Sequence, residues 1–133
     1  MARHAKGAFD VTITPQETAA DAPVSRMLLY KEFHGDLEAI AHGEMLAGFE
    51  PLTSAGVYVA IDRVSGTLHG RGGSFLIAHR GIANAGGQTL DIVIVPGSGT
   101  GQLEGITGTV GIDIVEKKHF YTVEYELRND GER

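Results

Sequence analysis

The sequence predicts an all-β fold, a closed antiparallel β-barrel of about eight strands within a single domain spanning residues 1–133. Three observations carry this. Glycine supplies 19 of 133 residues, roughly double ordinary usage and without a Gly-X-Y period, which marks many turns and sharp strand bends. β-branched and aromatic runs recur every roughly 8 to 15 residues between turn signals. The one stretch rich in helix formers, Leu37 to Phe49, is interrupted by Gly43 and Gly48, each of which costs about 1 kcal/mol in a helix interior.

The elements follow in order. Residues 7 to 14 alternate strictly, with Phe9, Val11 and Ile13 on one face and Asp10, Thr12 and Thr14 on the other, the mark of a half-buried strand. Pro15 to Pro23 is polar and proline-bounded and reads as a loop or as one helical turn. Residues 26 to 34 form a second strand, with Leu29, Lys31 and Phe33 sharing a face, and His34-Gly35-Asp36 makes the turn. Leu37 to Phe49 then reads as a long strand bent at Gly43. Segments 55–70 and 72–82 are paired across a hairpin turn in His69-Gly70-Arg71-Gly72-Gly73. Residues 89 to 97 are apolar on both faces and stop at a proline, and Ile106 to Arg128 gives two last strands that turn near Glu116-Lys117-Lys118. Tyr121, Val123, Tyr125 and Leu127 share a face of the final strand. Closing first strand on last removes the two exposed edges that an open sheet of this length would leave.

Composition excludes several classes of function. The absence of cysteine removes disulfide, thiolate-zinc and thiol redox chemistry. No apolar run approaches the ~20 residues that span a bilayer, and the N-terminal residues lack the apolar core of a signal peptide, so a cytoplasmic protein with no membrane partner is expected. A net charge of −6, with no cluster of basic and aromatic residues, disfavours nucleic acid. Strands apolar on both faces need cover on the outside of a barrel, which predicts a homo-oligomer, a dimer being the commonest symmetric solution.

Chemistry-bearing patterns are sparse. The glycines at 97, 99, 101 and 105 look like a phosphate loop, but such a loop must open a helix, and a strand follows. They are read as turn residues. His34 with Asp36 and His42 with Glu44 have the spacing of two that gathers metal ligands on a strand, yet there is no His-x-His, and neither metal nor cofactor is expected. Ser74 lies in Gly-Gly-Ser-Phe-Leu, which is not a nucleophile elbow.

The stretches KEFHGDLE (31–38), GEMLAGF (43–49), DRVSGTLHGRGGSFLIAHRG (62–81) and VPGSGTGQLEGITG (95–108), in this order, resemble a bacterial family of unknown function whose members look like allene oxide cyclase barrels. The resemblance covers nearly the whole chain. It implies the barrel fold, a mostly apolar barrel cavity and, for the assembly, a trimer. A fold does not transmit an activity, so no catalytic residue is carried over.

The residues of interest are therefore the polar ones that interrupt apolar faces: Lys31, Glu44, Arg63 and His79, with Tyr125 as an inward hydrogen-bond donor. On a covered face such charges persist when paired. Inside a cavity, Glu44 and His79 would be the acid/base pair, and Lys31, Arg63 and Tyr125 the ligand-binding groups. Three readings follow: a barrel that binds a small apolar or amphipathic ligand, a cofactor-independent isomerase or cyclase using Glu44 or His79, and an interaction module with a filled core. A one-residue slip in face parity would exchange Arg63 for Asp62.

Overall fold

The computed structural model describes residues 2–127. Its strands are β1 (Arg3–Pro15), β2 (Ser25–Gly35), β3 (Leu37–Glu50), β4 (Ala55–Leu68), β5 (Arg71–Asn84), β6 (Gly87–Ile94), β7 (Thr107–Val115) and β8 (Lys118–Glu126). Each pairs antiparallel with its sequence neighbours, and β1 pairs with β8 from Arg3↔Tyr125 to Phe9↔His119, which closes the barrel. Arg128, the end of the predicted last strand, lies outside the described residues. No helix among the described residues is long and apolar enough to cross a membrane.

Short connections fix the register. The β4–β5 turn is His69-Gly70, both at positive φ (48° and 80°), the backbone twist a two-residue hairpin needs, and it pairs Leu68 with Arg71. Counting back in twos from Leu68 places Val64, Asp62 and Ala60 inside, and all three are buried. The same alternation buries Leu29, Lys31 and Phe33 on β2 and Tyr121, Val123 and Tyr125 on β8.

One end of the barrel is plugged. The long β6–β7 connection folds back along β5, where Thr100 N–H donates to the Ser74 carbonyl (2.8 Å) and Leu76 N–H donates to Ser98 Oγ (3.0 Å). This pushes Leu103 and Ile106 into the interior beside Leu37, Leu68, Phe75 and Ile94. Gly97, Gly101 and Gly105 of this loop sit at φ of 86°, 59° and 83°, and a strand, β7, follows it.

The opposite end is open. There the wall is also incomplete: β6 joins β7 only at Val93↔Thr109 and Ile94↔Gly108, so Gly87 to Ile92 pair with β5 alone. The barrel is closed in topology but unzipped along this seam.

Candidate functional site

A cavity of about 750 Å³ occupies the open end, lined by Met27, Met45, Tyr58, Leu90, Ile112 and Ile114 among others. Leu90 and Ile112 face it from the two sides of the unpaired seam. Its only polar side chains are Tyr58, Gln88 and Thr89, and none is charged.

Small residues create this space. Ala47 and Gly81 flank Tyr58 in register on β3 and β5. The Tyr58 ring lies flat across Gly81, where an added Cβ would stand 2.2 Å from the ring. A side chain at position 81 would therefore displace Tyr58.

Below Tyr58, a charged cluster is held in the apolar interior. Asp62 on β4 accepts a hydrogen bond at one carboxylate oxygen, Oδ2, from Lys31 Nζ of β2 (2.6 Å), and His79 Nε2 of β5 stands 3.0 Å from the same oxygen. Lys31 Nζ and His79 Nε2 are 3.4 Å apart. All three residues are buried, Asp62 completely. They come from successive positions along the strands, and the tilt of strands in a closed barrel brings them to one level. Burial pushes the Asp62 carboxyl up, but the hydrogen bond from His79 and the charge and hydrogen bond of Lys31 outweigh it, and the group titrates below the ordinary carboxylate value. Asp62 is thus an anion.

The other oxygen, Oδ1, has no hydrogen-bond partner and is buried against Gly43 of β3, where a Cβ would come within 2.1 Å of it. Gly43 thereby gives Asp62 the room to turn inward. The Tyr58 ring centroid is 6.5 Å from that of His79, so Tyr58 connects the cavity with the cluster. Burial, then the Asp62 charge, raises the Tyr58 phenol above its usual value.

The residues singled out from sequence divide sharply. Lys31 and His79 are inward and meet. Glu44 is not inside: it projects from the outer face of β3 and pairs with Arg26 (Nε–Oε1 2.7 Å), both largely solvated. Arg63 is likewise on the outer face, and the interior position belongs to its neighbour Asp62. Tyr125 is buried at the plugged end, where its hydroxyl meets His69 Nδ1 at 2.5 Å, and it does not line the cavity. Tyr58, which the residue pattern did not select, and Asp62, named only as the residue a one-residue slip exchanges for Arg63, are the ones that complete the arrangement. The signal that finds them is the parity set by the His69-Gly70 hairpin.

Among the described residues no group of three or more His, Asp or Glu side chains has the arrangement of a metal site. His34 lies 3.5 Å from Glu38, and the His42 ring packs on Tyr30.

Fold and site together define an eight-stranded antiparallel barrel, plugged at one end and hollow at the other, with a buried Lys–Asp–His cluster between the two. The sequence profile of the family described as "protein of unknown function (DUF3224)" matches residues 5–125, and the chain belongs to that family. It is similar to the crystal structure of a protein of unknown function from the DUF3224 family of Shewanella oneidensis MR-1, with 38% identity, a TM-score of 0.89, and coverage of 96% of this chain and 99% of that one. Among proteins with curated functions, none matches.

Proposed function

We propose that the open end of the barrel binds a small, mostly apolar ligand carrying one uncharged polar group. The observation that carries this is the pairing of a roughly 750 Å³ apolar cavity with a single interior phenol, Tyr58. Cavities of this size that are apolar with a few placed polar groups suit small organic molecules. The absence of any charged side chain on the lining disfavours an ionic ligand, whose desolvation would go uncompensated. A filled interaction module is the weaker reading, because only the end plugged by Leu103 and Ile106 is packed solid.

The test is titration with Nile red, an uncharged dye whose emission rises in apolar surroundings, alongside native mass spectrometry of protein purified from its own host. Saturable dye uptake that disappears in Ala47→Trp, which fills the mouth beside Tyr58, supports the reading. Uptake unchanged in Ala47→Trp, or no uptake of Nile red and no co-purifying molecule, overturns it.

A separate observation favours self-association. On the outer faces of β3 to β5, Leu46, Val57, Val59, Ile61 and Ile82 form a contiguous apolar patch, with Ile61 60% exposed. The Arg26–Glu44 and Arg80–Asp91 pairs border it. We propose that a second copy of the chain covers this face. Light scattering of the 14.1 kDa chain at micromolar concentration should then give twice that mass, falling to the monomer in Ile61→Asp. A wild-type monomer rejects the proposal.

A further inference from the structure

We propose that Tyr58 and the His79–Asp62 pair move protons on the bound molecule, and that the ligand class is therefore an enolisable carbonyl compound. The proposal rests on the binding reading above and adds a reaction to it.

Three features point there. First, the cluster occupies one nitrogen of His79. Asp62 Oδ2 stands 3.0 Å and Lys31 Nζ 3.4 Å from Nε2, and with the Nε2 hydrogen directed to the carboxylate the lone pair for a substrate is on Nδ1. An imidazole oriented in this way by a buried carboxylate is the standard arrangement of a general base. Second, the cluster is over-provided for a purely structural tie. Lys31 alone satisfies the Asp62 charge at 2.6 Å, yet His79 is held on the same oxygen in a buried position where an apolar side chain would pack at lower cost. Third, the residue next inward on β5 after His79 is Gly81, and its missing side chain lets the Tyr58 ring lie between the cavity and the cluster. Tyr58 belongs to the cavity lining and to the surroundings of His79 at once. Its raised phenol keeps the proton, as a hydrogen-bond donor must.

The step balances without a co-reactant. A carbonyl oxygen in the cavity accepts a hydrogen bond from the Tyr58 hydroxyl. His79 removes a proton from the adjacent carbon, whose C–H electron pair becomes the C=C bond of an enolate while the carbonyl π pair moves to the oxygen facing Tyr58. The imidazolium is stabilised by Asp62. It then returns a proton to the same carbon, giving exchange or epimerisation, or to the far end of a conjugated system, giving a shifted double bond. Because His79 is almost fully buried, the substrate reaches it by moving Tyr58 off Gly81.

The experiment uses the full chain and 2-tetralone, a flat ketone with acidic C–H bonds, in D2O. Binding is read by displacement of Nile red and hydrogen exchange by proton NMR. Exchange above the buffer rate is expected, reduced roughly 100-fold or more in His79→Gln, which matches the usual worth of a positioned base, and reduced in Tyr58→Phe with binding retained. Bound 2-tetralone that exchanges at the buffer rate, or folded His79→Gln or Tyr58→Phe proteins that keep the wild-type rate, overturns the proposal and leaves the binding reading standing. Should His79→Gln fail to fold, the Tyr58→Phe rate decides. If 2-tetralone fails to displace bound dye the proposal fails, whereas absence of dye binding is the failure of the binding reading itself.

Discussion

The two ends of this barrel are made from the same eight strands and end in opposite states. At the plugged end the buried tyrosine hydroxyls are partnered and the interior is filled. The Tyr121 hydroxyl accepts from Leu37 N–H (2.8 Å) and donates to the His34 carbonyl (3.0 Å), Tyr125 meets His69, and Leu103 and Ile106 are 1% and 0% exposed. At the open end, Ala47, Gly48, Gly56 and Gly81 leave space, Ile114 is 64% exposed, and a buried carboxylate oxygen beneath the cavity has no partner. Cohesion is concentrated where the loop 95–106 inserts its apolar residues. The hollow end is then free to hold groups that stability alone would not select.

The largest effect that would sharpen this contrast comes from removing the strand that closes the barrel. Deleting residues after Lys118 strips Tyr121, Val123, Tyr125 and Leu127, each worth about 1.5 to 3 kcal/mol when buried, from a domain of ordinary stability of roughly 5 to 15 kcal/mol. It also frees an edge on both β1 and β7. Cooperative thermal unfolding should vanish. A truncated protein that melts sharply near the wild-type temperature would mean that closure through β8 is dispensable.

Next in size is the buried cluster. Asp62→Asn leaves the Lys31 ammonium without its counter-charge and should cost about 3 to 5 kcal/mol in urea unfolding. It has a signature in pH as well. The folded carboxyl titrates below its ordinary value of 3.8, so its contribution is fully present above that value and is lost as pH falls through the lowered one. The wild type should therefore lose stability in that acid range and Asp62→Asn should lose less. Parallel acid limbs in the two proteins would contradict the charge pairing.

A direct comparison of the ends follows from one substitution at each. Leu103→Ala, in the plug, should cost about 2 to 5 kcal/mol because the surrounding core cannot fully collapse. Ile114→Ala, on the cavity rim, should cost under about 1 kcal/mol because little of its surface is lost to water on folding. Equal costs would show that the open end is as tightly packed as the plugged one.

How far the sequence reveals this arrangement depends on the strand. On β8 the interior face holds Tyr121, Val123 and Tyr125 and the outer face Thr122, Glu124 and Glu126, so the pattern reads correctly. β2 reads correctly too, including inward Lys31. On β3 and β4 bulk misleads. Ile40 and Leu46, and Val57, Val59 and Ile61, face outward, while Ala39, Ala41, Gly43, Ala60 and Asp62 face inward, and only toward the plugged end do Leu37, Val64 and Leu68 bring aliphatic bulk inside. The reason is volume. An eight-stranded barrel has an interior only just wide enough for side chains, and Phe9, Phe33, Phe75, Tyr121 and Tyr125 fill it from the other strands. The middle of β3 and the facing part of β4 are therefore small inside, and their bulk goes outside. Choosing the bulkier face as the interior therefore selects Glu44 and Arg63 in place of Gly43 and Asp62. The seam between β6 and β7 leaves no local signature, since it depends on where a twelve-residue loop re-enters the barrel, from Val95 to Ile106.

The smallest expected effect tests that inversion most directly. Glu44→Gln preserves shape and removes the charge. On the outer face of β3, with 57% of its side chain exposed and paired to an Arg26 that is itself 48% exposed, Glu44 makes a solvated ion pair. Such pairs contribute about 0 to 1 kcal/mol and weaken with salt, because water screens both partners and holding two long side chains costs entropy. The stability change should therefore be within about 0.5 kcal/mol at moderate salt, with Nile red uptake and 2-tetralone exchange unaltered. Asp62→Asn makes the same chemical change, carboxylate to amide, on the neighbouring strand and should cost several times more. Two carboxylates, one outside and one inside a single sheet, thus give a control for each other. If Glu44→Gln were to cost as much as Asp62→Asn, or to abolish ligand uptake, the face assignment of β3 would be reversed and Gly43 would no longer be the residue that makes room for the buried charge.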